Sequence, residues 1–165
     1  MNLKIRPMIM DDIEYVEEID HLSFSLPWPD NAYRFELLEN SASLLWVAES
    51  VSPGGVSKIC GMVVIWLILD ETHIATLAVH PDYRGLGISK QLLKVALAAS
   101  AKCGAQKATL EVRESNHIAQ EIYRNFGFQI VGRRRRYYKD NREDAILMTL
   151  QSLNRFGKNM KGGCV

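Results

Sequence analysis

No apolar run in this 165-residue chain approaches the ~20 residues needed to cross a bilayer. The opening stretch, Met1-Asn2-Leu3-Lys4-Ile5-Arg6, has no long apolar core of the kind a secretory signal carries. These absences predict a cytoplasmic protein without membrane contact. Charge of one sign is missing too: 20 Lys and Arg face 19 Asp and Glu, a net of +1. A general attraction to nucleic acid or to an anionic surface is therefore not expected. Cysteine is scarce and unmatched. Cys60, Cys103 and Cys164 are odd in number and lack metal-ligand spacing, which argues against a disulfide scaffold. They read as small, inert hydrophobes in a reducing compartment. The four histidines, His21, His73, His80 and His117, lack ligand spacing, so no metal site is expected. Internal repeats, low-complexity tracts and linkers are absent as well.

What is present is one ordinary domain's worth of chain. We expect residues 1–150 to fold as that domain and the polar, Gly-rich residues 151–165 to form a flexible tail. Residues 2–6 read as a strand ended by Pro7. Asp11 or Asp12 can cap a helix whose Ile13, Val16 and Ile19 share a face. Two prolines, Pro27 and Pro29, stop that helix, and a second follows over 30–39. Apolar stretches 44–50 and 58–69 flank Ser52-Pro53-Gly54-Gly55 and predict a β-hairpin. A strand over 72–79, a helix over 87–103 stopped by Gly104, a strand over 106–113 and a helix over 116–126 stopped by Gly127 come next. Strands over 128–138 and 143–150 close the pattern around a polar tip. The order is β-α-α-β-β-β-α-β-α-β-β: an α/β chain with a mixed sheet and helices packed on it.

The strand over 72–79 leads through a glycine turn into a helix. Such a turn exposes unpaired backbone N–H groups at the positive end of the helix dipole. It suits a phosphate or pyrophosphate, and Gly85 and Gly87 let the backbone approach closely. The nucleotide-triphosphatase loop would need a Gly-Lys-Ser/Thr ending, which is absent. The dinucleotide fingerprint would need glycine at position 90, which is Lys90, and a place near the start of a βαβ array.

Arg84-Gly85-Leu86-Gly87-Ile88-Ser89 instead resembles the cofactor motif of the GCN5-related N-acetyltransferases, Arg/Gln-x-x-Gly-x-Gly/Ala, with Ser89 at the usual small residue. Leu77-Ala78-Val79-His80-Pro81-Asp82-Tyr83 before it is also typical. So are Leu110-Glu111-Val112-Arg113, Ser115-Asn116 and Ile122-Tyr123-Arg124-Asn125-Phe126-Gly127-Phe128. Arg136-Tyr137-Tyr138, Arg142-Glu143-Asp144-Ala145 and the segment from Phe24 to Trp28 are similar to the RimI-type branch, enzymes that acetylate the N-terminal alanine of a small-subunit ribosomal protein. The resemblance runs to about residue 150. It implies acetyl-CoA as cosubstrate, in a wedge between strands 72–79 and 106–113. Backbone of Leu77, Ala78 and Val79 would pair with the pantetheine arm, with Asn116 a further contact. Arg84, Gly85, Leu86, Gly87, Ile88, Ser89 and Lys90 would hold the pyrophosphate. The implied partner is a protein N-terminus, from a ribosomal protein in the nearest branch.

Acetylating an amine from a thioester requires loss of an amine proton, a polarised carbonyl and a protonated leaving thiolate. No covalent enzyme nucleophile is needed. Alternation along 106–113 puts Thr109, Glu111 and Arg113 on one face. On sequence alone Glu111 is a solvated carboxylate paired with Arg113; the resemblance makes it the general base, acting through water. Tyr123 is a core aromatic by position and the general acid by resemblance. Phe24, Trp28, Tyr137 and Tyr138 are the candidate acceptor residues. Tyr137 and Tyr138, adjacent on a strand, would face opposite sides, and Trp28 could equally cap the core. The run Arg133-Arg134-Arg135-Arg136 would alternate faces and could not form one nucleic-acid surface. The competing functions are acetylation of lysine or a small amine, a non-catalytic acyl-CoA-binding module, and a nucleic-acid-associated protein.

Overall fold

Burial periodicity follows the expected elements closely, and in the computed structural model they appear in the expected order. The structure describes residues 1–157. The chain divides into two compact units, one of residues 1–66 and 75–96, the other of residues 67–74 and 97 onward.

In the first unit, β1 (Asn2–Pro7) pairs antiparallel with β2 (Ser43–Val51), from Asn2 opposite Val51 to Pro7 opposite Trp46. Pro7 fits as the last residue of an edge strand, where its missing N–H costs no ladder bond. β3 (Ser57–Ile68) returns antiparallel beside β2, with an irregularity between Ala48 and Glu49. β4 (Glu71–Val79) is next in strand order, and the His80 N–H donates to the Cys60 carbonyl at 2.9 Å. Cys60, Met62, Val63, Val64 and Ile65 are all fully buried, as expected of a strand covered on both faces. On one face, Val16 and Ile19 of α1 (Ile13–Ser23) and Tyr33 of α2 (Ala32–Leu38) pack with Val47, Met62 and Val64. On the other lies α3 (Ile88–Lys102). A Cβ on Gly61 would stand 3.1 Å from the Ala78 carbonyl oxygen and from Leu92, and 3.2 Å from Ile88, so only glycine lets α3 approach. Arg6 clamps this unit's open end, bonding both Asp12 oxygens at 2.7 and 2.9 Å and Glu49 at 3.0 Å.

In the second unit, β4 runs parallel to β5 (Lys107–Arg113) with Glu71, Thr72 and His73 opposite Lys107, Ala108 and Thr109. β7 (Ala145–Leu150) lies antiparallel beside β5, and β6 (Gln129–Arg134) antiparallel beside β7. Ala108, Leu110 and Val112 are buried, while Thr109, Glu111 and Arg113 are half-buried on the opposite face, as alternation requires. α4 (His117–Asn125) begins at Asn116, whose side chain accepts from the Ala119 N–H at 3.1 Å. It ends before Gly127, held at φ +99.

Two expectations need correction. The strand expected over 128–138 stops at Arg134. Arg136 adopts φ +52 and donates its N–H to Asp144 at 2.9 Å, while Arg133 bonds the other Asp144 oxygen at 2.9 Å. Asp144 thus takes the place of the ladder, and residues 135–144 form a hairpin loop. Tyr137 and Tyr138 are therefore not on a strand, and the rule that neighbours face opposite sides does not apply. Their rings meet edge to face, 5.2 Å apart. The second correction concerns cysteine: Cys60 is a buried free thiol, but Cys103 is disulfide-bonded. Burial pushes the Cys60 thiol up to about 11, which fits an inert core residue. Within the stretch expected to be a flexible tail, Leu153 is 1% exposed and donates to the Gln106 carbonyl at 2.9 Å. Residues 158–165 of that expected tail lie outside the described residues.

Candidate active site

The first unit carries the glycine loop. Gly85 and Gly87 both take left-handed backbone, φ +77 and +76, with nothing within 4 Å of where either Cβ would stand. Left-handed glycines of this kind are common in the backbone turns that bind anions. α3 starts directly after, so the N–H groups of Ile88, Ser89 and Lys90 belong to its unpaired first turn. The residues present thus fit a pyrophosphate: the first-turn N–H groups of α3 lack intrahelical partners, and nothing stands within 4 Å of where a Cβ on Gly85 or Gly87 would lie. Ser89 introduces no obstacle, since the loop acts through backbone. Arg84 is tied inward, its Nε donating to the Val79 carbonyl at 3.1 Å and its Nη2 to Ser23 at 3.3 Å. It therefore links the loop to the end of β4 and to the end of α1, one residue before Phe24. Ala78 is buried, while Leu77 and Val79 are half-buried.

Of the two acceptor candidates in this unit, Phe24 is 36% exposed. Trp28 is packed more deeply, stacked on Tyr33 at 4.8 Å and on Trp66 at 6.4 Å. Buried Asp20 anchors that segment, accepting from the Trp28 N–H at 2.7 Å and the Tyr33 hydroxyl at 2.8 Å. Burial raises the Asp20 pKa despite these two donors. The stacked indole gives Trp28 a structural part.

The second unit carries the ionisable groups. Glu111 forms an ion pair with Arg134, Oε1 to Nε 3.1 Å. Its carboxylate also raises the Tyr137 pKa, ahead of burial. The expected pairing of Glu111 with Arg113 is not what forms. Arg113 turns to Asp140 (2.9 Å) and lies over the Tyr138 ring, 3.8 Å from its centre. The β-ladder explains the exchange of partners. Ala145 on β7 stands opposite both Arg113 on β5 and Arg134 on β6. Directly opposed residues share a face, and a methyl between two arginines leaves room for Arg134 to cross β7 and reach Glu111. Arg134 is the residue that reading the sequence missed. The signal lay in the register, which the irregularity between Ile130 and Gly132 sets and no local pattern reveals.

Tyr123 is 8% exposed and packs on Phe128 at 5.7 Å. Burial, then Tyr138, pushes its phenol up to about 12. It is a proton donor at any physiological pH. Tyr138 is also pushed up to about 12, chiefly by burial. His73 on β4 bonds Thr109 through Nδ1 at 3.0 Å, and burial lowers its pKa against the pull of Glu111. Among the described residues no group of three or more His, Cys, Asp or Glu could hold a metal ion, and no helix is long and apolar enough to cross a membrane.

A glycine turn that opens a helix after a strand suits the pyrophosphate of an acyl-CoA. The chain belongs to the acetyltransferase (GNAT) family, whose model matches residues 13–128, and is an acetyl-CoA-dependent N-acetyltransferase. It is 30% identical over 141 residues to the ribosomal protein bS18 alanine N-acetyltransferase of Escherichia coli K12, covering 84% of this chain and 90% of that one. A Bacillus subtilis (strain 168) protein named provisionally for the same activity is 39% identical over 144 residues, 87% of this chain and 92% of its own. The crystal structure of the Escherichia coli S18-alanine enzyme superposes with a TM-score of 0.80 at 27% identity, covering 98% of this chain and 100% of that one.

Proposed function

We propose that the chain transfers the acetyl group of acetyl-CoA to the N-terminal α-amine of a protein, with the N-terminal alanine of a small-subunit ribosomal protein as acceptor, and that residues 1–150 form the catalytic domain. The cytoplasm, where ribosomal proteins are made, is its place of action. Acetyl-CoA supplies an activated thioester; the protein supplies proton management and position. The amine proton passes to Glu111 through water. The amine nitrogen bonds to the acetyl carbon as the carbon–sulfur bond breaks, and Tyr123 gives its proton to the departing sulfur. The loop from Arg84 to Lys90 holds the pyrophosphate, Leu77, Ala78, Val79 and Asn116 the pantetheine arm. Phe24, Trp28, Tyr137 and Tyr138 border the acceptor.

The single observation that carries this reading is the carboxylate of Glu111, mid-strand on β5 and half-buried, with an ion-pair partner at 3.1 Å in Arg134. A carboxylate base is matched to an α-amine, whose ordinary pKa is about 8, against about 10.4 for lysine. Deprotonating lysine at neutral pH costs about 3 kcal/mol more by that difference. The named relatives support the ribosomal acceptor. Coenzyme A release over a panel of N-terminal peptides, Ala- and Ser-initiated ribosomal ones included, tests it. Turnover on the Ala-initiated peptides, lost in Glu111→Gln and Tyr123→Phe, is expected. Turnover unchanged by both substitutions would sink the mechanism, and turnover on small amines alone would sink the acceptor.

A further inference from the structure

The base proposed above is already occupied by a cation, and the two arginines near it are held very differently. Arg113 is fixed by Asp140 through Nη1 at 3.1 Å and Nη2 at 2.9 Å, by Asn141 at 3.3 Å, and by the Tyr138 ring beneath it. Its side chain is 22% exposed. Arg134 reaches Glu111 from the neighbour of β7, with one oxygen at 3.1 Å and the Tyr137 ring at a looser 5.6 Å. Its side chain is 57% exposed, that of Glu111 only 21%. An exposed pair of this kind is weak, because water solvates the guanidinium almost as well outside. Glu111, by contrast, is fixed within β5 and opposite Leu147. One arginine is built to stay and the other can leave.

We infer that Arg134 holds the place of the acceptor's α-ammonium at Glu111, and that the incoming amino terminus exchanges with it. An acceptor arriving in its protonated form is a cation seeking a carboxylate. It displaces the guanidinium, which swings into water, and surrenders one proton through water to Glu111, which passes it to solvent and then takes the amine's second proton as the carbon–nitrogen bond forms. The acetylated product is a neutral amide and cannot compete, so Arg134 returns as the product leaves and Glu111 gives its proton to solvent. The other groups facing Glu111 do not offer this exchange. His73 on β4 is kept neutral by burial. Tyr137 and Tyr138 are phenols, and Arg113 is pinned. The inference rests on Glu111 acting as base in N-terminal acetylation.

The test is peptide KM and kcat/KM in the full chain at saturating acetyl-CoA, for Arg134→Ala and Arg134→Lys, with thermal melts to confirm folding. Removing the competitor should lower peptide KM and raise kcat/KM by about two- to fivefold, the worth of an exposed ion pair. Arg134→Lys, which keeps a cation, should stay near the parent value. A KM that is unchanged or raised in Arg134→Ala, or a kcat/KM that falls, overturns the exchange and makes Arg134 a residue that merely positions the carboxylate. The parallel Glu111→Gln variant separates the two levels. If it keeps full turnover, the base assignment itself has failed. If it loses turnover while Arg134→Ala fails to lower KM, only the exchange has failed.

Discussion

The loop over residues 84–89 and the hairpin over residues 135–144 offer different atoms to a ligand. The loop acts through backbone: two left-handed glycines and the opening N–H groups of α3. The hairpin offers side chains, the phenols of Tyr137 and Tyr138, which follow Arg134 at the end of β6 and its carboxylate partner on β5. A backbone site depends on which residues can adopt a conformation, so it writes itself into a short motif. A side-chain site depends on which strands are neighbours and in what register, so its parts are scattered through the sequence.

Damage on the two sides should have different kinetic signatures. The largest effect is expected from Glu111→Gln, a fall in kcat of about 10²- to 10⁴-fold, the range for loss of a general base. Acetyl-CoA affinity, measured by titration of the variant, should hardly move. Tyr123→Phe comes next, with kcat lower by about 10²-fold. Its fold should survive, because the ring stays to pack on Phe128. Gly87→Val is expected to act in the opposite sense. A β-branched residue at φ +76 costs ~1–2 kcal/mol of backbone strain, so KM for acetyl-CoA should rise about tenfold while peptide KM holds. Should Gly87→Val change only kcat, the loop would not be a binding element, and the comparison would break. A smaller effect lies in the pH profile. Because burial holds the Tyr123 phenol at about 12, kcat at saturating peptide should show no alkaline fall near 10 from loss of its proton. A fall near 10 that disappears in Tyr123→Phe would show an exposed phenol instead. The smallest change is Asn116→Ala, which removes the cap on Ala119 and should cost about 1 kcal/mol of stability, read as a modest drop in Tm.

The same division explains what could be read from the sequence. The element order and the α/β class were legible because apolar periodicity at Val16 and Ile19, or at Ala108, Leu110 and Val112, depends on neighbours along the chain. The glycine loop was legible because Gly85 and Gly87 sit two residues apart. The end of β6 was not, since Arg133 to Tyr138 suit a strand by composition. What stops the strand is Asp144, which takes Arg133 and the Arg136 N–H from ten or so residues away. Arg134 was hidden for a related reason. Alternation on β5 puts Arg113 on the same face as Glu111, and that local rule suggested the wrong partner. The register sets both arginines opposite Ala145, and the ion pairs then divide them, Arg113 to Asp140 of the hairpin and Arg134 to the carboxylate. Trp28 illustrates the converse. Its segment left open a substrate border and a core cap, and the stack with Tyr33 and Trp66 gives Trp28 the packing the second reading expects.

The account turns on an α-amine being the acceptor and Glu111 its base. The most direct measurement uses one Ala-initiated ribosomal peptide containing an internal lysine, in two forms, with its terminus free and with its terminus blocked. Mass spectrometry locates the acetyl group after incubation with acetyl-CoA, for the parent chain and for Glu111→Gln. The account predicts acetylation of the free terminus by the parent chain, none of the blocked peptide, and loss of the first reaction in Glu111→Gln. Acetyl found on the lysine of the blocked peptide at a comparable rate, or on the free terminus with Glu111 replaced, would contradict it.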